Sequence, residues 1–283
     1  MKKIAIIGVG LIGASLGKAL LKNGMAEIVS GFGRRRANLE TALENESITH
    51  IAETLEEAVH GAEIVVVCTP VETIARTIRE ALPFVEPGTV FTDVGSTKAS
   101  IFDDFHGICE EFGCVFIGGH PIAGKERSGA ASADAELYVG KTVVLTNRFP
   151  ESAFQKVSEM WRSAGANVIF MPALEHDAVL ARTSHLPHLL ACVLSAVTPP
   201  KLFPFTGTGY ESMTRLASGS PEVWRDIFSD NRPNLISALE DYLEKLAELR
   251  KIIESGDESV LEGFLANAKA NRDLLQSGKS GQS

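Results

Sequence analysis

The sequence predicts an α/β protein: a doubly wound parallel sheet in the N-terminal half, followed by a mainly α-helical half. Three observations carry that prediction. Up to about residue 150, short β-rich apolar runs alternate with helical patterns, the order that puts helices on both faces of a parallel sheet. From Glu151 onward long amphipathic patterns take over. The chain has 283 residues, 45% of them hydrophobic, enough for one large domain or two medium ones and incompatible with a fibrous or disordered protein.

The elements follow in order. Lys3 to Ile7 reads as the first strand. Met1-Lys2-Lys3 before the run Ile4 to Ile12 imitates a secretory leader, but Gly8, Gly10, Gly13 and Gly17 fall at turn and helix-packing spacing. The run is also far short of the ~20 residues of a membrane span, so a strand in a cytoplasmic protein is expected. Glu27 to Phe32, Glu63 to Cys68, Thr89 to Thr92, Val115 to Ile117 and Thr142 to Leu145 read as further strands, with helices after the first four strands. Beyond Glu151 come one more helix, the apolar run Val168 to Met171, and helices around Ala173 to Val197, Pro221 to Phe228 and Pro233 to Glu254. Pro199-Pro200 and the stretch Phe203 to Gly209 read as a loop, and the polar tail 276–283 as disordered. The expected boundaries are therefore 1–150, 151–275 and 276–283.

With 27 basic and 36 acidic residues the net charge is −9, which opposes generic attraction to nucleic acid or an anionic membrane. Small molecules and a second copy of the chain are the expected partners. The four cysteines, Cys68, Cys109, Cys114 and Cys192, show no CxxC spacing and are too few for a disulfide scaffold, which points to a reducing compartment.

Gly8-Val9-Gly10-Leu11-Ile12-Gly13 follows a predicted strand and opens a predicted helix, the context in which GxGxxG marks a Rossmann-type dinucleotide site. Gly8 allows the tight turn, Gly10 lets the backbone approach a pyrophosphate, and Gly13 lets helix and strand pack closely, while the N–H groups of the first helical turn, from Leu11 and Ile12 onward, face the anion. A Gly-rich packing turn without ligand is the alternative. The second strand ends in Ser30-Gly31-Phe32-Gly33-Arg34-Arg35-Arg36, without the acid that usually binds the adenine ribose. Gly33 leaves room for a 2′-phosphate, and Arg34 with Arg35 or Arg36 offers bidentate contacts to it, so NADP is expected over NAD. The alternative is a solvated basic helix start, which opposes the helix dipole. Cys68, Thr69 and Pro70 end the next main strand and are expected beside the cofactor.

Three later segments supply polar groups. Ser96, in Asp93-Val94-Gly95-Ser96-Thr97-Lys98, reads either as a helix N-cap or as a catalytic hydroxyl. His120, between glycines in Gly118 to Gly124 at a strand's carboxyl end, is the candidate general base, because imidazole titrates near neutral pH. Ser184-His185-Leu186-Pro187-His188 lies on a predicted helix with His176-Asp177 upstream. Two histidines three apart suit a metal, but no third ligand is evident and Pro187 bends the helix, so no metal is expected. His185 also reads as a structural histidine in a helix interface.

These residues resemble the prephenate and arogenate dehydrogenases of tyrosine biosynthesis. The resemblance runs through about residue 275 and rests on GVGLIGASLG (8–17), DVGSTK (93–98), GHPIAG (119–124), SHLPH (184–188) and TRLASGSPEVWRDI (214–227). It implies hydride transfer from a cyclohexadienol to the nicotinamide with loss of CO2, and a homodimer built through the helical half. It also implies roles: His120 accepts the hydroxyl proton, Ser96 aligns hydroxyl and base, His188 helps bind substrate, and Arg215 clamps a substrate carboxylate, a task suited to a guanidinium fork. A surface ion pair is the alternative for Arg215, which follows the loop containing Gly209, a further substrate-side candidate.

Where many prephenate-using members carry a Lys-Asp or Arg-Asp pair, this chain has Glu211-Ser212. Glu222 stands where an acidic residue resembles the arogenate-using type, although a helix N-terminal Glu is also favoured by the dipole. The reading is thus an NADP-preferring arogenate and/or prephenate dehydrogenase. Alternatives are an NAD-dependent, prephenate-specific enzyme, a β-hydroxyacid dehydrogenase or imine reductase, and a non-enzymatic NADP-sensing protein.

Overall fold

The computed structural model describes residues 1–105, 108–124 and 129–280. Six parallel strands form the main sheet: β1 (Lys3–Ile7), β2 (Ile28–Phe32), β3 (His50–Ile51), β4 (Ile64–Val67), β5 (Val90–Asp93) and β6 (Val115–Ile117), in the order β3-β2-β1-β4-β5-β6. The helices among them are α1 (Leu11–Lys22), α2 (Arg36–Glu44), α3 (Leu55–Val59), α4 (Val71–Ala81), α5 (Ala99–Phe105) and α6 (Ile108–Glu111). The order reverses direction between β1 and β4, and in such sheets the crevice outside the carboxyl ends of those two strands is where ligands bind.

Both faces of the sheet are covered. Along β1, Ile4 and Ile6 enter one apolar core while Ala5 and Ile7 enter another; β4 divides the same way, Ile64 and Val66 against Val65 and Val67, all fully buried. This is why those strands read as unbroken apolar runs rather than alternating ones.

A second sheet has the order β7-β8-β9, from β7 (Gly119–Pro121), β8 (Thr142–Leu145) and β9 (Asn167–Phe170). Thr142 to Leu145 is therefore a strand, but it does not extend the main sheet. An apolar run declares a buried strand without naming its neighbour, and the chain leaves the main sheet at Gly118-Gly119, where Gly119 N donates to Asp93 Oδ1 at 3.0 Å and Thr146 N to Gly118 O at 2.9 Å. β9 pairs in parallel with β8, Thr142 opposite Asn167, so this sheet runs past residue 150 and α7 (Glu151–Ser163) joins its strands.

The expected helix over 173–197 is interrupted: α8 (Ala173–Leu180) and α9 (Leu186–Val197) are joined by a π-helical turn over Ala181–His185, with Pro187 in the first turn of α9. Such a bulge re-aims side chains and often marks a functional site. The expected loop Phe203 to Gly209 is also partly helical, with a 3₁₀ segment at Pro200–Phe205 and α10 (Thr208–Thr214), followed by a 3₁₀ turn at Arg215–Ser218 and α11 (Pro221–Asp230). Met1–Arg232 make one compact unit and Pro233–Ser283 a second, which holds most of α12 (Arg232–Ser255) and all of α13 (Glu258–Ser280). The backbone of 276–280 continues α13, and 281–283 lie outside the described residues. No helix among the described residues is long and apolar enough to cross a membrane.

Candidate active site

β1 runs into Gly8, whose φ is +95°. A Cβ there would stand 2.7 Å from the carbonyl oxygen of Cys68, so a side chain would push β1 and β4 apart at the crevice. Gly10 begins α1 without a side-chain cap, and no acidic residue lies in the first turn. The unpaired N–H groups of that turn, at Leu11, Ile12 and Gly13, therefore favour an anion, and nothing lies within 4 Å of a Cβ placed on Gly10. Gly13 is a packing residue: its Cβ would meet Gly8 O and Ile6 Cγ2, each at 2.8 Å.

Above these ends lies a cleft of about 390 Å³, lined by Gly8, Gly10, Gly33, Arg34, Arg35, Cys68, Thr69 and Pro70 among others. Leu11, Ile12 and Gly13 do not line it; the Leu11 side chain is buried in the core, and Ile12 O accepts a 2.6 Å hydrogen bond from Tyr138 Oη. Arg36 is turned elsewhere, its guanidinium 2.5 Å from Glu53 Oε1 and 3.2 Å from Glu40 Oε1. A Cβ on Gly33 would meet nothing nearer than Val9 N at 3.7 Å, so the missing carboxylate is a matter of charge and not of space. The far wall comes from α4, through Thr73, Arg76, Thr77 and Glu80. Their i, i+3, i+4, i+7 spacing on one helix face was the readable signal for this wall. An uncapped helix start, an open backbone approach and three cleft-lining arginines, Arg34, Arg35 and Arg76, fit a dinucleotide.

At the end of β5, Asp93 and Lys98 form an ion pair with both side chains buried. The Asp93 carboxylate also accepts from Gly95 N at 2.8 Å and from Gly119 N at 3.0 Å, so the pair ties β5 to the start of β7. His120 sits in the middle of β7, opposite Val144, and is 8% exposed. Its Nδ1 is 2.8 Å from Nε2 of His176, a fully buried residue of α8. His176 Nδ1 is 2.7 Å from Asp177 Oδ1, and Asp177 also accepts from Lys98 N and Ala99 N, each at 2.9 Å. Asp177 thereby takes the capping place considered for Ser96: it satisfies the first N–H groups of α5, while half-buried Ser96 stays on the turn between Asp93 and Lys98. Burial, with His176, Lys98 and His185 nearby, holds His120 well below the ordinary imidazole pKa, so its ring is neutral at pH 7.

His185 lies in the π-helical turn, its Nδ1 3.1 Å from Asn231 Nδ2; burial lowers it to about 4. His188, three residues on, is buried and stacks on Trp224 with ring centroids 3.6 Å apart. Arg215 is exposed and opens a 3₁₀ turn that packs on α9, the helix carrying His188. Glu222, in the first turn of α11, is exposed and accepts from Ser220 Oγ at 2.7 Å. Glu211, Ser212 and Gly209 are exposed on α10, and a Cβ on Gly209 would touch nothing within 4 Å. Among the described residues no three His, Cys, Asp or Glu side chains are grouped to hold a metal.

The chain matches the family described as prephenate dehydrogenase, nucleotide-binding domain, over residues 16–170, and the prephenate dehydrogenase dimerization domain over 172–267. Cyclohexadienyl dehydrogenase of Zymomonas mobilis is 30% identical over 285 residues, covering 96% of each chain. The crystal structure of a prephenate dehydrogenase from A. aeolicus in complex with hydroxyphenyl propionate and NAD+ superposes with a TM-score of 0.89 at 29% identity, covering 97% of this chain and 98% of that one. Synechocystis arogenate dehydrogenase gives 0.82 at 27% identity, over 96% and 99%.

Proposed function

The chain belongs to the prephenate dehydrogenase family, a group of NAD(P)-dependent oxidoreductases, and on that premise we propose that it oxidatively decarboxylates arogenate, prephenate or both with NADP+. The observation that carries the reading is a buried imidazole, His120, 2.8 Å from a second buried imidazole, His176, in the compact unit that also holds the glycine-rich cleft. Bound NADP+ supplies the hydride acceptor. The residues suited to hold it are Gly8 and Gly10 at the pyrophosphate, with Leu11, Ile12 and Gly13 contributing the positive end of α1 behind the cleft lining, and Arg34 with Arg35 at the 2′-phosphate. His120 takes the proton of the ring hydroxyl as the hydride leaves the same carbon, and loss of CO2 leaves an aromatic ring. Ser96 aligns hydroxyl and base. Arg215 and His188 bind the substrate, with Gly209 in the same substrate-side segment, and the guanidinium gives a dianionic substrate a local cation on a chain of net charge −9. The nucleotide half is assigned to 1–150 and the substrate and dimer contacts to 151–275, as a homodimer.

The experiment is a nicotinamide absorbance assay with each substrate and each coenzyme. Turnover of neither substrate refutes the reading. NADP is expected to outperform NAD at equal concentration, and Arg34→Ala to raise KM for NADP roughly 10- to 100-fold, the equivalent of losing a charged hydrogen bond of about 1.5–3 kcal/mol. Gly33→Asp, for which there is room, is expected to reverse the preference. Better turnover with NAD in the unaltered protein overturns the coenzyme assignment.

Arogenate preference is proposed from Glu222, whose carboxylate is held below the usual range by the Ser220 hydroxyl and is ionised at neutral pH, ready to pair with an ammonium. Glu222→Gln is expected to lower kcat/KM for arogenate about two- to fivefold relative to prephenate, the scale of an exposed ion pair. Unchanged selectivity, or a far higher kcat/KM for prephenate in the unaltered chain, removes this assignment.

A further inference from the structure

Three buried residues that the proposed reaction does not itself use, Asp93, His176 and Asp177, surround the candidate base. Two of them form a directed chain with it. The Asp177 carboxylate receives hydrogen bonds from Lys98 N and Ala99 N, and its Oδ1 is also 2.7 Å from His176 Nδ1. An ionised carboxylate only accepts, so the proton between them belongs to His176 Nδ1. A neutral His176 protonated at Nδ1 has an unprotonated Nε2, which at 2.8 Å from His120 Nδ1 can only accept. The proton of neutral His120 is thereby placed on Nδ1 and its lone pair on Nε2.

We propose that His176 and Asp177 are positioning residues that fix His120 in the Nδ1-protonated tautomer, leaving Nε2 as the base, and that support the imidazolium formed when Nε2 takes the substrate proton. The logic is that of a buried carboxylate orienting a catalytic histidine, with a second imidazole inserted between them. No bond is made or broken at His176 or Asp177: the substrate proton arrives on Nε2, the Nδ1 proton stays on His120, and its hydrogen bond to His176 strengthens as the ring becomes charged. Among the described residues, the charged and titratable groups around His120 are His176 and Asp177 on α8, Lys98 and Asp93 at the end of β5, and His185 in the π-helical turn. Among the described residues, His176 is the one within hydrogen-bond distance of the ring. The inference rests on His120 being the base in the proposed reaction.

The test has two arms. In the full chain with ¹⁵N-labelled histidine at pH 7.5, the His120 resonances are expected to show a protonated Nδ1 and an unprotonated Nε2; a protonated Nε2 overturns the proposal whether or not any variant folds. His176→Phe removes the acceptor and is expected to lower kcat roughly 100-fold with KM changed less than about threefold, the scale of a lost contribution to general-base catalysis. His176→Gln, whose Oε1 can accept from His120 Nδ1, is expected to recover at least about tenfold of that loss. Full activity in His176→Phe, or equal losses in both variants, overturns the positioning role. If the unaltered chain turns over neither arogenate nor prephenate, the proposed reaction fails, while the tautomer still decides the relay.

Discussion

His120→Asn is expected to lower kcat by about 10²- to 10⁴-fold while KM for the ring substrate changes little, because the substitution removes a general base and leaves the carboxylate contacts in place. Asn keeps a side-chain amide near His176 and a similar volume in β7, so the variant tests chemistry more than folding. Its pH profile is the sharper readout. Burial first, and then His176, Lys98 and His185, lower the pKa of His120, so the neutral base persists as the pH falls below 6.5 and the acid limb of kcat/KM lies well below that value. In His120→Asn that limb is expected to disappear. The same depression makes stability pH-dependent: His120 and His185 are neutral when folded and protonate near 6.5 when unfolded, so their contribution is complete above 6.5 and is lost as the pH falls through their folded values. Chemical denaturation between pH 7 and pH 4 is expected to show this decline, and to show less of it in His120→Asn. Normal turnover in His120→Asn removes the base assignment.

The sequence made legible those features that depend on local pattern. GxGxxG after an apolar run predicts the turn at Gly8, where a Cβ would strike Cys68, and the apolar runs predict strands buried on two faces. His120 stands out in the sequence as a candidate because a histidine between glycines at a strand end has no ordinary core explanation. Features set by long-range pairing were not readable. Thr142 to Leu145 reads as one more strand of the main sheet, yet it pairs with β7 and β9 because the chain departs at Gly118-Gly119. Three adjacent arginines read as one phosphate patch, but Glu53 lies 17 residues further on and takes Arg36 away. His176-Asp177 reads only as a polar pair upstream of SHLPH; the packing of α8 on α5 brings it, from 56 residues away, into a hydrogen-bonded chain with His120. Lys98 carried no periodic signal at all, because a buried lysine is defined by its partner.

Lys98→Met is expected to destabilise the first compact unit by about 3–5 kcal/mol, the usual cost of leaving one member of a buried ion pair without its partner. The Lys98 and Asp93 side chains are 1% and 0% exposed. Met fills nearly the same volume as the lysine stem, so the penalty is electrostatic: among the described residues the Asp93 carboxylate keeps the N–H groups of Gly95 and Gly119. In thermal unfolding this corresponds to a fall in Tm of roughly 6–20 °C for a unit of this size. Replacing both partners, as Asp93→Leu with Lys98→Met, removes the stranded charge, and for many buried pairs such a change is close to neutral. Here it is expected to remain destabilising, because Gly95 N and Gly119 N each lose their acceptor at about 1–3 kcal/mol per buried donor. The double variant should nevertheless lose less stability than the two single changes summed, and a double-mutant cycle showing simple additivity would refute the pair. A second readout ties the pair to catalysis. Lys98 is one of the cations that lower His120, so in whatever fraction of Lys98→Met folds, the acid limb of kcat/KM is expected to move to higher pH. A large stability loss with an unmoved acid limb would make Lys98 purely structural; both effects together would show that one buried ammonium anchors the strand carrying the base and keeps that base neutral.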